Sequence, residues 1–505
     1  MHFDRHIAYW ARYRRDTPYL TFNGEVTSWG ELDARAGALA AYLVEIGLGP
    51  GDRFGVLLRN TTEWCVGFAA AIRMGAIMVP LNALFGPFEL TRIARDAECA
   101  AILSRPSEIA KLGITDARED DRIAVYDISG RQPPTAYDAI VASGRDAPRN
   151  ERSEDGILAI CYTSGTTGLP KGIALSHRAV DTMNSRVGSR LGWEIGEERI
   201  LVLAPLAFTG GIISNLAVQF AIGASAWLEA GVDPARACGL LIDNRITLMA
   251  GVPALWERIA AAPQFVEGDL SALTSAVTGG APVSMELMRR YAAKGVILRQ
   301  QFGVSENCGC AFSPDQETAL NRPHSCGPAL PGIDVEIRGG DGRPLPPGEV
   351  GEICLRSPQL MDGYWRNPEA TAAAMVDGWY LTGDLGFIDA FGGLVVADRK
   401  KNMLISGGVN IYPAEIERAM MQIEGVVEVA VFGLPSAAWG QEVVALAYAP
   451  SHDQPDAILD RARAMLGSMK APKRMALHDG PLPKTVSDKI VRTGLPELFA
   501  ATQAS

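Results

Sequence analysis

Up to about residue 320, short apolar runs alternate with longer stretches whose apolar positions recur at helical spacing. Asp52–Asn60 (DRFGVLLRN) predicts a strand, the stretch from Thr61 a helix, and Ala76–Leu81 the next strand. Arg199–Pro205 (RILVLAP) predicts another strand. Arg245–Gly251 (RITLMAG) predicts a strand feeding a helix at Pro253–Ala261. Leu273–Gly279 predicts a strand, followed by a helix near Val283–Lys294 and the strand Val296–Gln301. Strands separated by helices imply a parallel, doubly wound sheet, and ligands of such sheets sit beyond the carboxyl ends of the strands.

From about Cys326 to Asp398 the texture changes. Short β runs (Val335–Arg338, Gly351–Leu355) are separated by turns at Gly339–Asp341 and Pro346–Gly348, which predicts an antiparallel, β-barrel-like subdomain at about 326–398. After Lys401 a small α+β unit is expected, with helices at Pro413–Met421 and Asp456–Leu466 and strands at Val427–Leu434 and Val443–Tyr448. The polar stretch Asp398–Asn402 (DRKKN) is the expected joint. The fold class is therefore α/β, with a large N-terminal domain (1–400) and a small α+β C-terminal domain (401–505).

With 505 residues and 48% hydrophobic content, the chain can bury a large core in several domains. Its net charge of -11 argues against non-specific nucleic-acid binding, so any anion must be held by local groups. The eight cysteines include no C-x-x-C pair, which points to reduced thiols and a cytoplasmic protein rather than a disulfide framework or a zinc site. The N-terminal stretch carries Arg5, Arg12, Arg14 and Arg15 with no apolar run behind them. It reads as a solvated first helix, with membrane-surface contact as the alternative, and not as a secretory signal. No uncharged stretch is long enough to span a bilayer. A monomer or homodimer is expected.

Tyr162–Gly172 (YTSGTTGLPKG) is the clearest chemical signal. The apolar strand Ile157–Cys161 leads into it and Ile173–Ser176 leads out, so it reads as a hairpin tip. Glycines and small hydroxyl residues let backbone N–H groups approach phosphate oxygens; Ser164, Thr166 and Thr167 add hydroxyls and Lys171 a positive charge. The Gly-Lys-Ser/Thr of the common NTPase loop is missing, which argues against a phosphotransferase. The alternative is a Gly/Thr-rich surface turn.

This string resembles the signature of the adenylate-forming superfamily: acyl-CoA synthetases, adenylation domains of peptide synthetases and firefly-type luciferases. Gly279–Pro282 (GGAP), Gln301–Glu306 (QFGVSE), Trp379–Asp384 (WYLTGD), Asp398–Pro413 (DRKKNMLISGGVNIYP) and Pro483–Lys489 (PKTVSDK) each match a family motif, in the family's order and across nearly the whole chain. The likeness is closest to fatty acyl-CoA ligases. It implies an AMP-forming acid:CoA ligase that uses ATP, Mg²⁺ and coenzyme A on a small carboxylic acid, with a mobile C-terminal domain.

By that resemblance, Thr163, Ser164, Gly165, Thr166, Thr167, Gly168 and Lys171 would bind the phosphates. Gly279, Gly280, Ala281, Gln301, Phe302 and Gly303 would form the adenine slot, with Phe302 stacking on the base. Ser305 would reach the α-phosphate, and Glu306 with Thr167 would hold Mg²⁺. Asp384 would accept the ribose hydroxyls, Arg399 would contact ribose or phosphate, and Lys489 would bridge carboxylate and α-phosphate. Lys401 matches the hinge. Ser406, Gly407 and Gly408 would edge a tunnel for pantetheine, and Trp439 either contacts CoA or packs in a core. Phe208, Val252, Gly280, Cys308 and Gly309 would line the acyl pocket.

Some positions depart from the pattern. Asp488 stands where Gly commonly precedes the catalytic lysine, Asn402 replaces a common Asp, and Ser305 replaces a common Thr. In Pro205–Gly211 (PLAFTGG), Ala207 and Phe208 occupy the place of an aromatic followed by His, which suggests an apolar substrate. A medium- or long-chain fatty acid is the first expectation and an aryl or cinnamic-type acid the second. A reading of another class is a non-catalytic nucleotide or acyl-adenylate binder, with Asp488 marking decay.

Overall fold

The computed structural model describes residues 2–504 except 117–119, 129, 131, 151–153, 165–169, 282, 437–438, 452–453 and 486–489. By packing, the chain divides into residues 1–334 with 356–380 and residues 335–355 with 381–505; the two units are described in turn.

The strand expected at 52–60 forms as Arg53–Leu58, and Thr61 then opens the helix Thr62–Met74, its hydroxyl accepting from Trp64 N at 3.2 Å. Gly75 ends that helix at φ 75°, a left-handed conformation that glycine adopts without strain. Arg53–Leu58 pairs in parallel with Ile77–Asn82 on one side and Cys99–Ser104 on the other. These strands form the parallel centre expected of them, within an eight-stranded sheet whose edges are antiparallel. The cause is connection length: the loop from Ile157–Ser164 to Pro170–Ser176 is too short for a crossover, and short links force antiparallel pairing.

The second sheet has the order Leu298–Gln300, Ser275–Thr278, Leu248–Gly251, Arg199–Val202, Ser225–Leu228, Pro18–Phe22 and Glu25–Ser28. All neighbours are parallel except the last hairpin. The helices Pro253–Ala260 and Met285–Ala292 cover it with a core centred on Trp256, which is fully buried. Trp256 Nε1 donates to Val277 O at 3.1 Å and Tyr291 Oη donates to Trp256 O at 2.9 Å, so both indole and phenol are satisfied inside the core. These bonds fix the two helices against the carboxyl edge of the sheet.

The first helix, Phe3–Tyr13, is not solvated all round as expected. Phe3, Ile7 and Trp10 are buried while Arg5 and Arg12 stay exposed, so its arginines mark one face only. No helix among the described residues is long and apolar enough to cross a membrane.

In the second unit, Leu394–Arg399 pairs antiparallel with Trp379–Ile388, which lies in one sheet beside Gly351–Arg356 and, beyond it, Asp334–Arg338. A further sheet has the order Val409–Ile411, Leu404–Ser406, Gly440–Tyr448 and Glu428–Ser436, with Arg474–Leu477 parallel to Gly440–Tyr448. One face packs the helices Pro413–Met420 and Pro455–Lys470 around Ile416, Met420 and Ile458, and the other packs Phe499 of the helix Leu495–Ala504. The break expected at 400/401 falls inside this unit. Asp398 accounts for the continuity: 6% exposed, it accepts from Arg399 N at 2.6 Å, Asn402 Nδ2 at 3.0 Å and Ala414 N at 2.6 Å, tying the strand Leu394–Arg399 to the turn Lys400–Asn402 and the helix Pro413–Met420.

Candidate active site

Four neighbouring parallel strands of the seven-stranded sheet end at one edge, and the residues expected for the adenine slot and the acyl pocket follow those ends. Phe208 comes after Arg199–Val202, Val252 after Leu248–Gly251, Gly279–Ala281 after Ser275–Thr278, and Gln301–Glu306 after Leu298–Gln300. A parallel sheet gathers residues distant in sequence at its carboxyl edge for this reason.

The segment 302–312 folds back on itself there. Phe302 and Phe312 exchange backbone hydrogen bonds at 3.2 and 3.0 Å, and their rings meet edge-on with centroids 6.0 Å apart. Gly303 must be glycine: a Cβ would lie 2.2 Å from Gly309 O, against backbone that cannot yield. Glu306 sits in the single 3₁₀ turn Ser305–Asn307, closed by Cys308 at φ 52°. Gln359, fully buried, donates to Asn307 O at 3.2 Å and Cys310 O at 2.5 Å, pinning the turn from behind. Cys308 is buried, which pushes its thiol well above the usual range, and a Cβ on Gly309 would approach Ser214 Oγ at 3.3 Å. Phe208 lies edge-on to Phe85 with centroids 6.3 Å apart, and Val252 is 37% exposed. Gln301 donates to Ser313 Oγ at 2.9 Å, so its side chain is already committed.

The hairpin Ile157–Ser164/Pro170–Ser176 forms as the flanking strands predict, with Thr163 opposite Lys171. Gly165, Thr166, Thr167 and Gly168 lie outside the described residues, as does the side chain of Ser164. The short strand Gly363–Tyr364 pairs with the outer strand of the hairpin, Tyr364 opposite Ile173, and brings the Tyr364 ring under Lys171, whose Nζ is 5.0 Å from the ring centroid. Tyr364 Oη donates to Glu306 Oε1 at 2.9 Å. Tyr380, buried at 4% exposure, neighbours Glu306 and Tyr364. Burial first, then the Glu306 charge, raises both phenols above their ordinary range, so each stays a hydrogen-bond donor at neutral pH.

In the second unit, Asp384 and Arg399 face each other across the antiparallel pair and form an ion pair, Nε to Oδ1 2.5 Å, with Asp384 buried. Lys401 is exposed in the turn Lys400–Asn402. Gly407 and Gly408, at φ 58° and 78°, are the two central residues of the hairpin closed by Ser406 and Val409. Trp439 packs on Gly407, where a Cβ would come within 2.9 Å of its ring, and accepts from Gly407 N through its carbonyl at 2.9 Å. Trp439 is 46% exposed, not a core residue, and Lys473 Nζ lies 5.0 Å from its ring centroid. Ser406, Gly407, Gly408 and Trp439 are thus brought together, whereas Lys489 and Asp488 lie outside the described residues.

Sequence reasoning missed Tyr364, Tyr380 and Lys473. Tyr380 lies inside the WYLTGD string, so its position was flagged without its role; Tyr364 and Lys473 sit in segments with no chemical pattern, and only the pairing of strands brings them in.

The chain belongs to the AMP-binding enzyme family, matched over residues 7–365, with the AMP-binding enzyme C-terminal domain matched over residues 415–489. It is 32% identical over 476 residues to the long-chain-fatty-acid–CoA ligase FadD13 of Mycobacterium tuberculosis, covering 94% of this chain and 93% of that one. It is also 32% identical over 489 residues to the feruloyl-CoA synthase of Amycolatopsis, covering 95% and 96%. Among solved structures, ATP-bound MatB from Rhodopseudomonas palustris superposes with a TM-score of 0.86 at 29% identity, over 99% of both chains. The chain is an ATP-dependent, AMP-forming acid:CoA ligase.

Proposed function

We propose that the acid is hydrophobic, with a medium- or long-chain fatty acid favoured over an aryl or cinnamic-type acid. The observation that carries this is that the residues the resemblance places around the acid, Phe208 packed on Phe85, Val252, Cys308 and Gly309, include no charged side chain. Relatives that act on fatty and on ferulic acids at equal identity keep the aryl reading as the second. A carboxylate oxygen of the acid attacks the α-phosphorus of ATP and pyrophosphate leaves; the CoA sulfur then attacks the acyl carbonyl, the thiol proton passes to solvent, and AMP leaves.

Lys171 and Lys489 bring positive charge to the phosphates, Ser305 offers its hydroxyl to the α-phosphate, and Asp384 with Arg399 holds the ribose. Ser406, Gly407, Gly408 and Trp439 receive the CoA arm. Mg²⁺ suits a single carboxylate combined with phosphate oxygens and water. Glu306 fits that donor set, half-buried and with one carboxylate oxygen already accepting a phenol. Glu306, with Thr167, would hold the ion, which when bound offsets charge at the reacting phosphate. All eight cysteines are buried and free, in keeping with a reducing cytoplasm.

The test is acid-dependent pyrophosphate release across acetate, octanoate, palmitate, benzoate and ferulate, each with and without CoA. Release with a thioester product on octanoate or palmitate is the expected result. Preference for ferulate or benzoate would establish the aryl reading, and silence in folded, ATP-binding protein would point to either an unusual acid or the non-catalytic binder.

A further inference from the structure

Tyr380 is buried, and its hydroxyl must find a partner there. Its polar neighbours are the Glu306 carboxylate and the Tyr364 phenol. Tyr364 in turn donates to Glu306 Oε1 at 2.9 Å and carries Lys171 over its ring. Three elements that otherwise share no secondary structure converge on one carboxylate: the turn Ser305–Asn307, the strand Gly363–Tyr364, and the start of Trp379–Ile388, itself held by pairing of Tyr380 with Met375. A glutamate side chain on a single 3₁₀ turn has three rotatable bonds and no helix neighbours to restrain it. The Tyr364 hydrogen bond, backed by the buried Tyr380 ring, restricts it to one orientation.

We infer that Tyr380 and Tyr364 are positioning residues for Glu306, fixing its carboxylate in the orientation that receives the divalent cation carried by ATP. This rests on the reading of Glu306 as the residue that holds Mg²⁺. A carboxylate presents roughly four acceptor positions, so a phenol donor orients it and leaves acceptor capacity for a cation. A phenol is the right donor for the task, because it can orient the carboxylate without neutralising it. An arginine or lysine at position 380 would supply a competing positive charge.

The experiment measures ATP binding to the full-length protein by calorimetry, in EDTA and at saturating Mg²⁺, with Mn²⁺ binding followed separately by electron paramagnetic resonance. The variants are Tyr380→Phe, Tyr364→Phe, Glu306→Gln and Tyr380→Phe/Glu306→Gln. Each tyrosine variant should weaken ATP binding in Mg²⁺, and Mn²⁺ binding in the presence of ATP, by roughly 3–10-fold, the worth of a typical hydrogen bond. ATP binding in EDTA should stay within about twofold, and the double variant should match Glu306→Gln alone. Equal loss with and without metal, or no loss in either, would overturn the inference, as would further loss in the double variant. If Glu306→Gln leaves metal dependence intact, the metal reading of Glu306 falls and the positioning role with it. If Glu306→Gln abolishes that dependence but neither tyrosine variant moves it, only the positioning role falls. Phenylalanine keeps the ring, and Tyr364→Phe gives a second reading should Tyr380→Phe not fold.

Discussion

His2 and His177 stack with ring centroids 3.8 Å apart and planes 24° from parallel, both almost fully buried. Burial, then Arg5, lowers the His2 pKa from 6.5 to about 4; burial, then His2 itself, lowers His177 to about 2. The folded chain therefore binds fewer protons than the unfolded one below pH 6.5, and this contribution is whole above that pH and is lost as pH falls toward 4. From about pH 7 to about pH 5.5 the two rings together should cost about 2–3 kcal/mol. Urea denaturation across that range measures it. His2→Asn, which keeps an acceptor for the helix that His2 caps, should flatten the curve; an unchanged slope would remove the pair as its cause. Lys489 is the other residue on which a single substitution decides much. Lys489→Ala should lower acid-dependent pyrophosphate release by roughly 10²–10³ while sparing thioester formation from supplied acyl-AMP. Equal loss of both activities would place its role elsewhere.

At the scale of elements, the helix Phe3–Tyr13 docks through Trp10, whose Nε1 donates to Phe220 O at 2.9 Å while its ring covers Gly223. Gly223 has φ 69°, and a Cβ there would lie 2.5 Å from the indole. Gly223→Ala combines backbone strain with overpacking and should cost about 2–4 kcal/mol, read from the denaturation midpoint. The hairpin turn at Gly407–Gly408 differs, because a Cβ on Gly408 meets nothing within 4 Å. Gly408→Leu therefore strains the turn without a clash. Its expected effect is slow thioester formation with pyrophosphate release intact, and unimpaired thioester formation would take it out of the CoA path.

Most helices and strands of the first unit were legible because each carries its own period: Thr62–Met74, Pro253–Ala260 and Met285–Ala292 all form within two residues of expectation. The mixed strands Pro18–Phe22 and Glu25–Ser28 gave no such signal. Nor did the π-helix Ile212–Leu216, whose extra residue per turn leaves no mark in an apolar run. The Glu306–Tyr364 contact spans 58 positions and depends on strand order, which no local pattern encodes.

For the molecule as a whole, the informative residue is Asp398. The DRKKN stretch looks like a linker because it is polar, yet its first residue is buried and accepts three hydrogen bonds that join sheet, turn and helix. Polarity at a joint and polarity satisfied inside one are indistinguishable in sequence. Asp398→Ala leaves buried donors unpaired and should destabilise the second unit by roughly 2–4 kcal/mol, with protease cleavage appearing near Lys400–Asn402 before general loss of structure. Cleavage unchanged from the parent would assign the joint's order to other contacts.

The doubled-back segment 302–312 carries Glu306 on one side and Cys308 and Gly309 on the other, locked by the Gly303–Gly309 approach and by Gln359. With the roles proposed for Glu306 and for Cys308 and Gly309, metal handling and substrate choice are in this way inherited together. A lineage that reshapes the Cys308–Gly309 wall for a new acid disturbs the turn that presents Glu306, so such changes are epistatic with catalysis. Variation at Phe208 and Val252, carried on separate strand ends, escapes that coupling, and drift toward new acids should accumulate there first.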